Sequence, residues 1–234
     1  FVDSKEACTI TSSSNAVTVG DKIKAGTKVM VWCDDAYFGL NYEKDIESQS
    51  LFAHLCDLSP NVLAAKIDGP TKEDFAWGFR CGFITFGCKG LTEEQYDALV
   101  KKLMAAIRSS VSCSSTPPQS LLLKAFQNPA QVEKEKAEFR AVLEKRYALV
   151  KKFTTTHTSE NITPLPFNSG YFMAFDTKKV NAETLRQKLL KERGIGTISI
   201  DSRTLRVAFS SLEEDKIDIV YQAIYETADE LARN

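Results

Sequence analysis

Histidine is nearly missing from this 234-residue chain: His54 and His157 are the only two, and they stand far apart. So few imidazoles argue against a histidine metal centre and against a Ser-His-Asp triad. No CxxC pair occurs among Cys8, Cys33, Cys56, Cys81, Cys88 and Cys113, and their spacing suits no zinc module. They read as reduced, mostly buried small hydrophobes of a cytosolic (cytoplasmic) protein. No apolar run approaches the roughly 20 residues a membrane helix needs, so no membrane partner is expected. A charge excess is also lacking: 30 basic residues meet 31 acidic ones, for a net charge of -1. That balance argues against nucleic acid or an anionic membrane as the main partner, and no basic helix-turn-helix segment is visible. Nothing near Phe1 resembles a signal peptide.

What is present is the composition of an ordinary globule, with 43% hydrophobic, 10% aromatic and 26% charged residues. A chain this long removes about 70% of its unfolded surface from water and forms one large domain or two modest ones. Lys28 to Cys33, Val62 to Ile67 and Cys81 to Phe86 are apolar, β-branched or aromatic runs that predict strands, the first two buried on both faces. Between them, Ser48 to Leu58 predicts a short helix with Leu51, Phe52, Leu55 and Leu58 on one face, followed by a turn at Ser59-Pro60-Asn61. Short strands separated by helices or loops point to an α/β sheet.

Downstream, Thr92 and Gln95 form a capping box ahead of a helix carrying Tyr96, Leu99, Val100, Leu103, Met104 and Ile107. Serines and Pro117-Pro118 interrupt the pattern, and a short helix is expected from Ser120 to Phe126. Residues 131–153 predict a long charged connector helix with Phe139, Leu143, Arg146, Val150 and Phe153 on one face. Pro164 and Pro166 mark a loop, and Gly170 to Phe175 a strand. Asn181 caps a helix that stops at Gly194. Strands follow at Gly196 to Ile200 and Thr204 to Phe209. Ser211 and Glu214 predict a capping box for a last helix carrying Ile217, Val220, Ile224 and Leu231. The domain boundary is expected near 127–135, dividing residues 1–130 from an α+β unit at 131–234.

Four side chains draw attention. Lys72, in Gly69-Pro70-Thr71-Lys72, follows a predicted strand, where α/β sheets bind ligands, and a lysine there can form a Schiff base with an aldehyde. Arg80 follows eight residues later, between Gly78 and Gly82, and its fork suits a phosphate. Asp34 ends the first strand and can hold a protonated pyridine nitrogen. Tyr37 can hydrogen-bond a ring oxygen. Taken singly, each has an ordinary reading: a solvated lysine, a surface ion pair, a turn after a strand.

Taken together they are more specific. Asp-x-Ala-Tyr at 34–37, the 38 residues from Asp34 to Lys72, and Thr71-Lys72 followed by Arg80-x-Gly82 resemble the fold-type I aminotransferases, which use pyridoxal 5'-phosphate (PLP). The resemblance covers nearly the whole chain. It implies an α/β architecture: the C-terminal part of the large PLP-binding domain, a mostly parallel sheet with flanking helices, plus a smaller α+β C-terminal domain. It implies that Lys72 forms the Schiff base and shuttles a proton between the substrate Cα and the cofactor C4'. Asp34 would pair with the pyridinium, Tyr37 with the phenolate oxygen, and Arg80 with the phosphate, joined by Thr71. Leu205 to Ser210 resembles the small-domain strand whose arginine binds the substrate carboxylate. Arg206 matches that position, whereas strand alternation alone does not separate it from Arg203.

Gly69 departs from the family, whose members often carry a serine three residues before the lysine. Only 33 residues precede Asp34, too few for the family's glycine-containing phosphate loop, ring-stacking aromatic and Asn-Pro motif. The expectation is therefore a C-terminal portion of an aminotransferase, homodimeric in its full-length form, that exchanges nitrogen between an amino acid and a 2-oxo acid. Two alternatives remain: a PLP-dependent β-lyase on the same scaffold, and a fragment acting only as a structural or interaction module. PLP binding discriminates the last of these.

Overall fold

A computed structural model describes residues 25–44 and 46–233. Cys8 and most of the polar stretch before Lys28 lie outside the described residues. The chain divides into two compact units: residues 1–39 with 46–132, and residues 40–45 with 133–234.

The first unit is built on three strands, β1 (Val29–Asp34), β2 (Val62–Asp68) and β3 (Phe83–Gly87), in the order β1-β2-β3. β1 and β2 are parallel, with Val29 opposite Val62 and Asp34 opposite Ile67. β3 runs antiparallel to β2, with Asp68 opposite Phe83, so the sheet is mixed. Helix α1 (Leu51–Leu55) covers one face, capped by the Ser50 hydroxyl, which accepts the Phe52 N–H. It lies so close that a Cβ on Gly87 would stand 2.5 Å from the Cys56 side chain. Val29, Val31, Cys33, Leu55, Val62 and Ala64 form the core between them.

The expectation that the first strand is buried on both faces is corrected. Burial alternates along β1, and Trp32, on the face away from α1, is 55% exposed. The predicted α1 face is also too long, because the helix ends at Leu55 and leaves Leu58 exposed. β3 starts two residues later than predicted, at Phe83.

Helix α2 (Pro70–Glu73) follows β2, and α3 (Glu93–Ser110) follows β3. The capping box of α3 forms, with Gln95 Oε1 accepting the Thr92 N–H at 2.9 Å. None of its side chains is fully buried, and Val100, Met104 and Ile107 are exposed. Helix α4 (Thr116–Phe126) begins earlier than predicted. Pro117 and Pro118 start it rather than interrupt the chain, since a first-turn residue needs no N–H partner. Among the described residues the five cysteines are free and only Cys33 is buried; Cys56, Cys81 and Cys88 are half-buried and Cys113 is exposed, which corrects the expectation of mostly buried thiols.

Helix α5 (Pro129–Thr156) leads into the second unit, burying Leu143, Tyr147, Val150 and Phe153 while Phe139 stays exposed. The second sheet has the order β4-β5-β7-β6, built from β4 (Thr163–Pro164), β5 (Met173–Asp176), β6 (Ile198–Ser199) and β7 (Thr204–Val207), with every pair antiparallel. Pro164 was expected in a loop and sits on the edge strand, where its missing N–H costs no ladder bond. Helix α6 (Ala182–Arg193) starts at Asn181, whose side chain accepts the Thr184 N–H at 3.0 Å, and stops at Gly194 in the left-handed conformation (φ 66°).

Helix α7 (Ile217–Ala232) buries Ile217, Tyr221, Ile224, Tyr225 and Ala228 against Phe175 and Leu205. The predicted capping box at Ser211 and Glu214 is corrected: two short 3-10 turns occupy Phe209–Ser211 and Glu214–Lys216, and the helix begins after them. Residues 40–44 also pack in this unit. Asn41 bridges Ser169, Tyr42 donates to the Gly170 carbonyl at 2.6 Å, and Arg140 donates to the Asn41 carbonyl at 2.6 Å.

Candidate functional site

Because β1 and β2 are parallel neighbours, their carboxyl ends lie side by side, the usual place for a ligand in an open α/β sheet. Asp34 ends β1 with its side chain on the face opposite Cys33, and its carboxylate accepts the Ala36 N–H at 3.2 Å. The chain then turns across the end of β2. The Asp35 N–H donates to the Ile67 carbonyl at 2.9 Å, and the Phe38 N–H to the Asp35 carbonyl at 2.9 Å. Tyr37 rides on this turn.

β2 passes through Gly69 into α2, which carries Thr71 and Lys72. Lys72 Nζ stands 4.7 Å from the centre of the Tyr37 ring, within range of a cation–π attraction. After α2 the chain loops through Phe75 (φ 54°) and a 3-10 turn at Trp77–Phe79 to Arg80 (φ 51°). Left-handed backbone is costly for bulky side chains and clusters at functional loops. Arg80 Nη1 donates to the Trp77 carbonyl at 3.3 Å, and the guanidinium is otherwise exposed. Since Phe83 faces Asp68, the loop returns Arg80 to the sheet end that carries Lys72.

Gly69 has a steric reason for its place. A Cβ there would stand 2.9 Å from the Cys81 carbonyl oxygen and 3.0 Å from the Gly82 Cα, where the two ends of the loop cross. A serine would force that crossing open.

Behind this end of the sheet lies a charged cluster that the sequence reading passed over. Lys66 pairs with Asp68 at 2.5 Å and stands 4.7 Å from the Phe38 ring centre. Asp35, beside it, accepts a short hydrogen bond from the Ser50 hydroxyl. Burial, reinforced by Asp35, pushes the Cys33 thiol up to about 11, so it is neutral near pH 7.

Arg206 lies in the second unit, on β7, with Ala174 and Ile198 as strand neighbours. Its guanidinium carbon sits 4.6 Å above the Phe172 ring, and its Nε is buried with no hydrogen-bond partner among the described residues. Arg203 differs: it donates to both oxygens of Asp176, at 3.0 and 2.9 Å. Phe172 and Asp176 were missed from sequence. Their signal was the register of β5 on β7, which puts Ala174 opposite Arg206 and Asp176 opposite Thr204.

Residues 10–224 match the family model for aminotransferase class I and II. The chain belongs to that family. Members of it use pyridoxal phosphate. No curated protein sequence matches the chain. Among solved structures it is similar to an aminotransferase from Anaerococcus prevotii, with 21% identity and a TM-score of 0.73 over 91% of this chain and 50% of that one. It is also similar to the kynurenine aminotransferase of Pyrococcus horikoshii, with 19% identity, a TM-score of 0.73, and coverage of 95% and 52%. A third is the alpha-aminoadipate aminotransferase of Thermus thermophilus, complexed with N-(5'-phosphopyridoxyl)-L-leucine, with 16% identity, a TM-score of 0.70, and coverage of 94% and 55%. The family member described here thus spans about half the length of the solved structures it resembles.

The residues at the sheet end fit pyridoxal phosphate. An amine, a carboxylate, a phenol, a hydroxyl and a guanidinium answer an aldehyde, a pyridine nitrogen, a ring oxygen and a phosphate. The backbone around Gly69 is drawn in so tightly that a Cβ would collide.

Proposed function

We propose that this chain serves an aminotransferase that moves an amino group from an amino acid to a 2-oxo acid. One observation carries the reading: the Lys72 amine lies against the Tyr37 ring at the sheet end where Asp34 closes the neighbouring parallel strand. Pyridoxal phosphate, when bound, supplies an aldehyde that condenses with amines and a ring that accepts electrons from the substrate Cα.

The chain's own residues would do the rest. Lys72 would hold the cofactor through its amine and, once released, move a proton at the substrate Cα. Asp34 would keep a proton on the pyridine nitrogen. Tyr37 would donate a hydrogen bond to the ring oxygen, and Arg80 and Thr71 would bind the phosphate. Arg206 would take the substrate carboxylate. Its place over the Phe172 ring and its Nε without a hydrogen-bond partner among the described residues support that assignment over Arg203, which Asp176 already engages. A homodimer belongs to the same proposal.

The test is an absorption spectrum after adding pyridoxal phosphate, with Lys72→Ala as control. A visible band that the control lacks, fixed by borohydride onto the peptide containing Lys72, is the expected result. A band of equal strength in Lys72→Ala, or none in the parent, overturns the assignment of Lys72 in this chain.

A further inference from the structure

Two segments bring Tyr37 and Lys72 together: the turn after β1 and helix α2. They are tied from behind. β2 pairs Lys66 with Cys33 in register, so Lys66 projects from the face opposite Asp34 and Ile67. From there its ammonium touches both segments' supports. It pairs with Asp68, the last residue of β2, and lies over the ring of Phe38, the neighbour of Tyr37.

Further charged groups face this ammonium from each element around it: Asp35 from the turn, Asp68 from β2 itself and Glu73 from α2, with the neutral Cys33 thiol on β1. Burial opposes the charge of Lys66, and the three carboxylates outweigh it, so the amine titrates above its ordinary range. Lys66 is thus one cation among three anions that belong to three different segments. The Ser50 hydroxyl extends the network by holding Asp35 to the cap of α1.

We propose that Lys66 is a positioning residue: pinned between Asp68 and the Phe38 ring, it holds the 35–38 turn and helix α2 together and so sets where Tyr37 stands against Lys72. This rests on the reading of Lys72 as the cofactor-bearing residue. Lys66 touches no reacting atom. Its removal takes a positive charge from beside Asp35, Asp68 and Glu73 and leaves the end of the sheet more negative. That negative field stabilises a protonated nitrogen on Lys72, so a titration centred there moves upward.

The experiment uses the whole chain and compares the parent with Lys66→Gln, Lys66→Arg and Phe38→Leu. The first readout is amide hydrogen exchange without cofactor. Lys66→Gln is expected to speed exchange several-fold in residues 35–38 and 70–75 and to leave the second unit unchanged. Lys66→Arg restores protection, and Phe38→Leu loosens the turn alone, which keeps the comparison open if Lys66→Gln does not fold. The second readout is the pH titration of the visible band after loading with pyridoxal phosphate. Its midpoint is expected to rise by about half a pH unit in Lys66→Gln and to return in Lys66→Arg. A residue that merely props the sheet would leave that midpoint in place. Unchanged exchange in both segments, or an unchanged midpoint, overturns the proposal. A parent with no visible band overturns the reading of Lys72 instead, and the exchange comparison then decides the role of Lys66 by itself.

Discussion

Among the described residues, the second unit packs eighteen buried ones into one cluster, from Tyr147 to Ala228, whereas the first packs six between its sheet and α1. The first unit nonetheless carries five of the six candidate site residues. Its sheet leaves Trp32 and Ile67 exposed on the face that bears Asp34, and its longest helix, α3, has no fully buried side chain. The difference teaches that the two demands on a fold are separable. Interior volume fixes the second unit. In the first, hydrogen-bonded turns, a glycine crossing and paired charges hold the candidate site, with little interior among the described residues beneath it. Stability and chemistry should therefore respond to different substitutions.

The sharpest way to break this contrast is to open both cores. Phe175, fully buried beside Tyr221 and Tyr225, should cost about 3–5 kcal/mol as Phe175→Ala. Val62, equally buried in the first unit, should cost about 2 kcal/mol as Val62→Ala. Both tryptophans, Trp32 and Trp77, lie in the first unit, so tryptophan fluorescence in urea should shift with Val62→Ala, and far-ultraviolet dichroism with Phe175→Ala. Equal shifts in both signals for either variant would mean that the units unfold as one.

Acid should come next, and it should fall on the second unit. Arg186, with Ser199 and Gln187, holds the Glu183 carboxyl far below its usual range. The Lys178 N–H and Arg203 lower Asp176, and Lys188 lowers Glu230. A carboxyl lowered by folding adds stability above its unfolded value, and that stability fades as pH falls through the folded value. In the first unit the Thr92 hydroxyl lowers Glu94. The dichroism midpoint should therefore drop between pH 5 and 3 more than the fluorescence midpoint. The reverse order would contradict this assignment.

The smallest effect is expected on the bare face of α3. Met104, 63% exposed, should change stability by less than about 0.5 kcal/mol as Met104→Ser in the same urea titration. A loss above about 1 kcal/mol would show that another surface covers this face.

Much of this was legible in the sequence because its causes are local. The Thr92 and Asn181 caps, the Gly194 stop and the strand positions follow from single residues and their neighbours. The motif residues from Asp34 to Arg80 could be read because the spacing along β1, β2 and the returning loop is short. What failed was whatever depends on distant partners. Alternation in β1 looked like two-sided burial because Met30 and Trp32 are apolar, and only the folded sheet shows that nothing described lies over Trp32. Lys66 drew no attention in its apolar strand, since apart from its near neighbour Asp68 its partners Asp35 and Phe38 are brought to it by the turn after another strand. Strand alternation left Arg206 and Arg203 alike, and the folded register sets them apart by placing Asp176 within reach of Arg203 and Phe172 under Arg206.

The short passage at 40–45 has a consequence for how the chain is made. It belongs to the second unit, although residues on both sides of it belong to the first. Leu40 is buried there, and the Tyr42 hydroxyl reaches a carbonyl 128 residues later in the chain. At roughly 5–20 residues per second, a ribosome adds that length in about 6–26 s. Throughout that interval the nascent chain holds one piece of its later unit with nothing yet to receive it. The last hundred residues, expressed by themselves, would lack that piece, and a single cut after Val132 would not release the unit whole.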